Sequence, residues 1–443
     1  MALDEDQSGP ASARPQTSDV PGTASAESDT DTVRDVSVDV PELDGSLGTY
    51  ARALAKKIRN GESGVLPVLG GLILLVIIFQ VQDSVFLSAG NLVNLMVQGS
   101  VFVLLGMAEI WVLVLGEIDL SVGFVAGVGG TIAAILSTTH GLPWPVAILG
   151  GVAATAAIGA LMGTIVIRLK LPSFIVTLAG LLGWEGVLLY LVNANGTGGT
   201  IRITDPVLLD LANGNLSVAA GWIVMIAAVV VFGGITFLRD RHRRVSGLVA
   251  PPVAISILKF AGMAVAGVVL VLVCNTNRGV LIAVQGVPYV VLIVLGFLAV
   301  WSFLLGRTRF GRYLYAIGNN AEAARRAGIS LGWNKLWAFT LTGLTSGVAG
   351  IVYASRLGSI SNNIDGGTLV LYAVASAVIG GASLFGGRGK MVYALLGGLV
   401  IATIYNGMGL LGLAASYQYM VTALVLLAAV TIDSLARRGR TAE

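Results

Sequence analysis

With a single cysteine, Cys274, the 443-residue chain cannot close an internal disulfide or build a cysteine-clustered zinc site. Its two histidines, His140 and His242, are far apart and show no HxxxH or Cys/His spacing, so no metal site is expected. Charge is scarce as well. Asp, Glu, Lys and Arg make up 12% of the residues, against about 25% in an ordinary soluble domain. No G-x-x-x-x-G-K-[ST] occurs, since Gly389-Lys390 is followed by Met391 rather than by the hydroxyl that holds magnesium. No GxSxG or triad spacing is present either. The chain is therefore expected to bind no ATP or other cofactor itself and not to be an enzyme, and nothing in it suggests a nucleic-acid partner.

What the chain has is apolar residues, 55% of the total, with a mean hydropathy of +0.86. A water-soluble protein of this length could not cover so much apolar surface, because its exterior must stay polar. A lipid bilayer removes that conflict. The first fifty residues differ, with eleven acidic residues and two arginines among Ser, Thr, Ala, Gly and Pro, so the remainder carries roughly +12 of the overall +3. Residues 1–50 are expected to be a disordered acidic tail, since low hydrophobicity with high net charge cannot offset the entropy of ordering. A signal peptide needs a basic start and an apolar run, and Leu3, Asp4, Glu5 and Asp6 provide neither. The membrane domain is expected over 51–436, followed by a basic tail over 437–443.

Apolar runs near 65–82, 92–115, 120–138, 143–167, 173–192, 219–238, 258–274, 288–306, 335–354, 369–381, 391–411 and 415–434 predict transmembrane helices. About 20 apolar residues are needed to cross the hydrocarbon core, and no water is available there for unpaired backbone. The fold class expected is all-α and polytopic, with about 12 spans (10 to 12, because 369–381 is short). The many glycines suit close helix approach in a membrane. Arg52, Lys56, Lys57 and Arg59, then Arg168 and Lys170, then Arg239 to Arg244, then Arg307 to Arg326, then Arg437, Arg438 and Arg440 all fall on one side of this count. Basic residues mark the cytoplasmic side, so both termini are predicted to be cytoplasmic. The Gly/Asn/Thr-rich stretches 193–217 and 356–367 are predicted to be external loops, with Arg202 and Arg356 as basic exceptions.

Between two spans lies Arg307–Leu331, RTRFGRYLYAIGNNAEAARRAGISL, too polar for lipid. Ala321 to Arg326 are good helix formers, with Asn319 or Asn320 as N-cap and Gly328 to end the turn. A short cytoplasmic helix with an Ala face and a Glu322/Arg325/Arg326 face is expected. On the residues alone it is either a docking element or a plain surface helix.

This segment resembles the coupling loop of ABC transporter permeases in the ribose/xylose/arabinose branch. Three further stretches are similar to the same branch, in the family's order: GEIDLSVG (Gly116–Gly123), PSFIVTLAG (Pro172–Gly180) and VIGGASLFGGRGK (Val378–Lys390). Glu117 before Ile118 and the additional apolar pair 219–238 and 258–274 resemble the xylose-type members most. The acidic tail is no family feature. The resemblance implies a monosaccharide importer subunit in the plasma membrane, for xylose or a related pentose. It further implies a permease homodimer, an extracytoplasmic sugar-binding protein, and a separate ATPase subunit using ATP and Mg. It assigns Asn320, Glu322, Arg325, Arg326 and Gly328 to ATPase coupling. It assigns Glu117, Asp119, Ser121, Gly123, Gly380, Gly381, Ser383, Gly386 and Gly387 to signature loops.

On physical grounds Glu117 and Asp119 are expected at a membrane boundary, where charge is tolerated, with Asp119 and Ser121 capping the next helix. Glu109, inside an apolar run, is a functional candidate or a satisfied structural group. Trp184, Tyr405 and Asn406, with Trp111 and Tyr353, are candidates for stacking and hydrogen bonding along a translocation path, or for lipid anchoring. The alternative class is an ion-coupled secondary sugar carrier, for which Glu109 is the sole midplane candidate.

Overall fold

The computed structural model describes residues 65–247, 253–279 and 282–441. The expected acidic tail and the basic cluster at Arg52–Arg59 lie outside the described residues. Nearly every described element is a helix: α1 (Leu66–Gln82), α2 (Ala89–Leu113), α3 (Val122–Ala134, prolonged by a π-turn over Ile135–Thr139), α4 (Trp144–Leu169), α5 (Ser173–Asn195), α6 (Pro206–Asn213), α7 (Val218–Val245), α8 (Val253–Asn275), α9 (Tyr289–Arg307), α10 (Arg309–Asn319), α11 (Ala321–Arg326), α12 (Leu331–Leu357), α13 (Gly366–Ile379), α14 (Met391–Leu410) and α15 (Ala415–Thr441). Each of the twelve apolar runs is helical. Among the described residues nine helices are long and apolar enough to cross a membrane, and α1 and α13 are shorter apolar helices. Helix starts are fixed by short polar caps. The side chains of Ser88, Asp205, Ser217, Thr308, Asn320, Ser330 and Asp365 each accept a first-turn backbone N–H.

Burial sorts the helices. In its most apolar window α2 is 83% buried, whereas α7 and α8 are each 11% buried. The helices α2, α3, α12, α13 and α14 therefore form the core, and the α7–α8 hairpin is peripheral with apolar side chains facing outward. Cys274, expected against lipid or helix, is buried with Val93, Val271 and Val287 where the hairpin leans on α2.

The loops divide between two ends of the bundle. At one end β1 (Thr200–Arg202) pairs antiparallel with β2 (Ser359–Ser361), joining the two Gly/Asn-rich stretches. There Asn213 donates to the Ser355 carbonyl at 2.7 Å, and the Leu216 N–H to Val287 O at 2.9 Å. The loops after α2, α4, α7, α9 and α13 lie at the other end, which also receives Arg168, Lys170, Arg239–Arg244, Arg307–Arg312, Arg325 and Arg326. Arg202, Arg278 and Arg356 are at the polar-loop end.

Helix α13 is short for a topological reason. The chain from β2 onward runs alongside α3: Ile360 lies by Gly130, Ile364 by Gly127, and Gly366 by Gly123. Non-helical backbone thus covers part of the length of α3, as is tolerated where protein buries it.

Candidate functional site

Residues 307–331 form two helices rather than the expected single one. Amphipathic α10 buries Gly311, Leu314 and Ile317. Extended backbone at Asn320 breaks it from α11, whose N-cap is the Asn320 side chain, 2.9 Å from the Ala323 N–H. Gly328, at φ +80°, closes the segment in the left-handed region. In α11 only Ala324 is buried, leaving Ala321, Ala323, Glu322, Arg325 and Arg326 exposed. Arg325 donates two hydrogen bonds to Glu322, at 3.0 and 2.9 Å, and Arg326 one at 3.0 Å. Arg325 first, then Arg326, holds the Glu322 carboxyl below its usual range, while Glu322 raises Arg325. A depressed carboxyl keeps these bonds above its unfolded pKa and loses them only as pH falls through the folded value, so they persist across neutral pH.

Behind α11, three separated stretches converge. The Gly387 N–H donates to the Val114 carbonyl at 2.9 Å, and the Tyr315 hydroxyl of α10 donates to the Gly389 carbonyl at 2.5 Å. Burial pushes the Tyr315 hydroxyl up to about 12, so it remains a donor throughout neutral pH. A Cβ on Gly318 would overlap the Val114 carbonyl and lie 2.6 Å from Gly387 N; one on Gly386 would lie 2.8 Å from Gly318 O and 2.9 Å from Gly116 N. Gly116, Gly386 and Gly387 also have positive φ (+78°, +83° and +71°), which L side chains rarely adopt. The C-terminal end of α10 is thus seated, backbone on backbone, against both signature loops. Ser383 is buried within the second of these loops, and its N–H donates to Arg388 O at 2.9 Å; the Gly380 and Gly381 N–H groups close the end of α13.

The first signature loop is anchored twice more. Glu117, half-buried, pairs with Lys335 near the start of α12, and Ile118 is clasped by Ser173 and Thr177 of α5 at 3.2 Å each. Asp119, in the loop between α2 and α3, is 3% exposed. Its expected capping role is corrected. Asp119 Oδ1 accepts the Ser121 N–H at 2.9 Å and its hydroxyl at 2.6 Å, and Ser121 makes no side-chain cap to α3. Glu109 is fully buried; Oε1 accepts the Asp119 N–H at 3.2 Å and Oε2 has no partner among the described residues. Gly123, by contrast, packs against Gly366 of α13.

The four path candidates fall into two groups. Trp184 packs beside Val112, Met162 and Phe339, near Ser121 and at the Glu109 end. Asn406 and Tyr405 lie toward the start of α2. Asn406 and Asn91 exchange side-chain bonds at 2.8 and 2.9 Å, 18 residues and about 27 Å along α2 from Glu109. Asn406→Leu is expected to cost about 1 kcal/mol by leaving Asn91 Oδ1 without its donor, while Asn91 keeps its bond to the Phe86 carbonyl. The double variant with Asn91→Leu should recover part of the lost thermal stability.

Tyr405 belongs to an aromatic group with Phe102 (5.7 Å) and Tyr372 (6.3 Å). Arg356 is within electrostatic reach of Tyr353 and Tyr405, and Asp365 accepts from the Tyr419 hydroxyl at 3.3 Å. Arg356 also lines a cavity of about 290 Å³ with Asn94, Asn213, Asn215 and Arg278, at the polar-loop end. Sequence reasoning missed Lys335, Tyr315, Gly318, Arg278 and Asp365. The first three lie in or beside the polar segment, but their partners are distant in sequence.

A bundle of apolar helices with chemically opposite ends, a polar cavity at one and, at the other, an exposed helix following one that is seated on two loops, defines a polytopic membrane transport subunit. Residues 91–430 match the family described as branched-chain amino acid transport system / permease component, and the chain belongs to that family. It is 35% identical over 356 residues to the xylose transport system permease protein XylH of Escherichia coli strain K12, covering 80% of this chain and 88% of that protein. It is 36% identical over 354 residues to the protein of the same name from Haemophilus influenzae, covering 80% and 91%. To the ribose import permease protein RbsC of Escherichia coli strain K12 it is 31% identical over 364 residues, covering 82% and 91%. No solved structure matches the chain. The chain is a multi-pass membrane permease component, and the sequence resemblance to this branch holds over most of its length.

Proposed function

We propose that the chain is the membrane subunit of an ATP-driven importer of xylose or a related pentose, with its basic end and both termini in the cytoplasm. The convergence of Gly116, Gly318 and Gly386 carries this reading. Backbone contact without intervening side chains lets a push on α11 reach both signature loops as a rigid displacement. A separate ATPase subunit supplies ATP hydrolysis with Mg and meets the exposed Glu322/Arg325/Arg326 surface; a second copy of the permease and an external sugar-binding protein complete the importer.

Sugar enters at the polar-loop end, where Arg356 and the asparagines of the cavity offer hydroxyl-bonding groups and Tyr353 and Tyr405 offer ring faces. Glu109 and Asp119 belong to the opposite end of the path. The chain reconstituted with its ATPase and binding protein in vesicles should take up radiolabelled xylose only with ATP. Uptake should survive an ionophore and fall about tenfold in Arg356→Ala, the loss of one or two charged hydrogen bonds. Collapse of uptake under an ionophore at constant ATP would instead assign the chain to ion-coupled carriers.

A further inference from the structure

The α7–α8 hairpin takes no part in the coupling junction and lines none of the polar cavity, although the Cys274 carbonyl of α8 accepts from the cavity's Arg278. Its two helices are fastened to each other at their basic end, where the Ser256 hydroxyl donates to Asp240 at 3.0 Å and Arg244 donates to Ser256 at 2.7 Å. It leans on the bundle at the other end, through Val271 and Cys274 against Val93 and Val287. Between hairpin and α9 lies a cavity of about 520 Å³, lined by apolar side chains apart from Ser302.

The lining residues of α7 keep to one helical face: Gly221, Met225, Ala228 and Phe232. Continuing that face by seven and eleven residues reaches Arg239 and Arg243, both exposed. On α9 the lining runs from Val291 to Ser302, with Arg307 little more than one turn beyond. The stretch Gly221–Phe232 measures about 16 Å along the axis, close to half of a ~30 Å hydrocarbon core. Water in such a space would find almost no hydrogen-bond partners. The abundant apolar solute in a bilayer is lipid hydrocarbon.

We propose that this cavity binds one acyl chain of an anionic phospholipid, whose phosphate sits at Arg239, Arg243 and Arg307 while the chain terminus reaches toward Trp222. The charge is complementary at one end only. Arg239 has a 3.6 Å contact with Asp240 and its side chain is 44% exposed among the described residues.

The test reconstitutes the full chain in phosphatidylcholine vesicles containing phosphatidylglycerol brominated either near the chain terminus or near the carboxyl. The emission of Trp222 is obtained by difference from Trp222→Phe. Terminal bromines should quench most of that emission, and proximal bromines little. Ala228→Phe with Ala299→Phe, or Ala299→Phe alone should the pair fail to insert, should remove the quenching. Replacing Arg239, Arg243 and Arg307 by Gln should remove a preference of about tenfold for phosphatidylglycerol over phosphatidylcholine. Equal quenching by both bromine positions, or quenching unchanged in the filled variants, overturns the proposal. So does a filled variant that keeps its lipid but loses self-association, which would assign the cavity to a second copy of the chain.

Discussion

Glu322→Ala and Arg325→Ala should each lower ATP-driven uptake about tenfold while leaving folding and membrane insertion intact, a loss of the size expected when one contact at an interface is removed. The reason is the placement of α11. Of its residues only Ala324 is buried among the described residues, and its Glu322–Arg325–Arg326 network is on the surface. Exposed ion pairs contribute little to folding, so a defect in uptake would report a lost contact with another subunit. The measurement is ATP hydrolysis and sugar uptake in the same vesicles. Hydrolysis that continues without uptake supports a coupling role, and unchanged uptake in both variants removes it. Because neighbouring arginines depress Glu322, the wild-type ratio of uptake to hydrolysis should be flat across neutral pH and fail only in acid.

Gly318→Val should abolish uptake more completely, and by a different route. A Cβ at this position would overlap the Val114 carbonyl and crowd Gly387 N, and a branched side chain adds two further methyls. Backbone cannot yield as a flexible side chain does, so either α10 is lifted from the loops or both loops shift. Overpacking of this kind costs about 1–3 kcal/mol, which should appear as a lowered melting temperature of the purified protein. The same variant should still recruit the ATPase, since α11 is untouched. Recruitment with hydrolysis but no uptake is the expected pattern. Uptake within twofold of wild type, about 0.4 kcal/mol, would show that the junction transmits nothing.

These two sites were unequally legible in the sequence. Helix α11 could be read directly, because its cap at Asn320, its Ala/Glu/Arg composition and the Gly328 stop are local features that need no partner. Its neighbour α10 was missed as a separate helix, although Gly311, Leu314 and Ile317 recur at helical spacing; what could not be read locally is that Gly318 at its end meets Val114 and Gly387. Asp119 illustrates the opposite failure. A carboxylate just before a span looks like a helix cap, yet here it is buried and turned onto Ser121 within the loop.

Composition and apolar spacing alone determined that this chain lives in lipid and where its described helices run, because the bilayer imposes the same demand on every crossing. The tertiary structure alone decided that Glu117 meets Lys335, that Asn91 meets Asn406, and that three glycine-bearing stretches share one junction. The two side-chain pairings join residues 218 and 315 positions apart, and the junction joins Gly318 to stretches near Gly116 and Gly386; no local periodicity carries information about which distant backbone will come within contact distance.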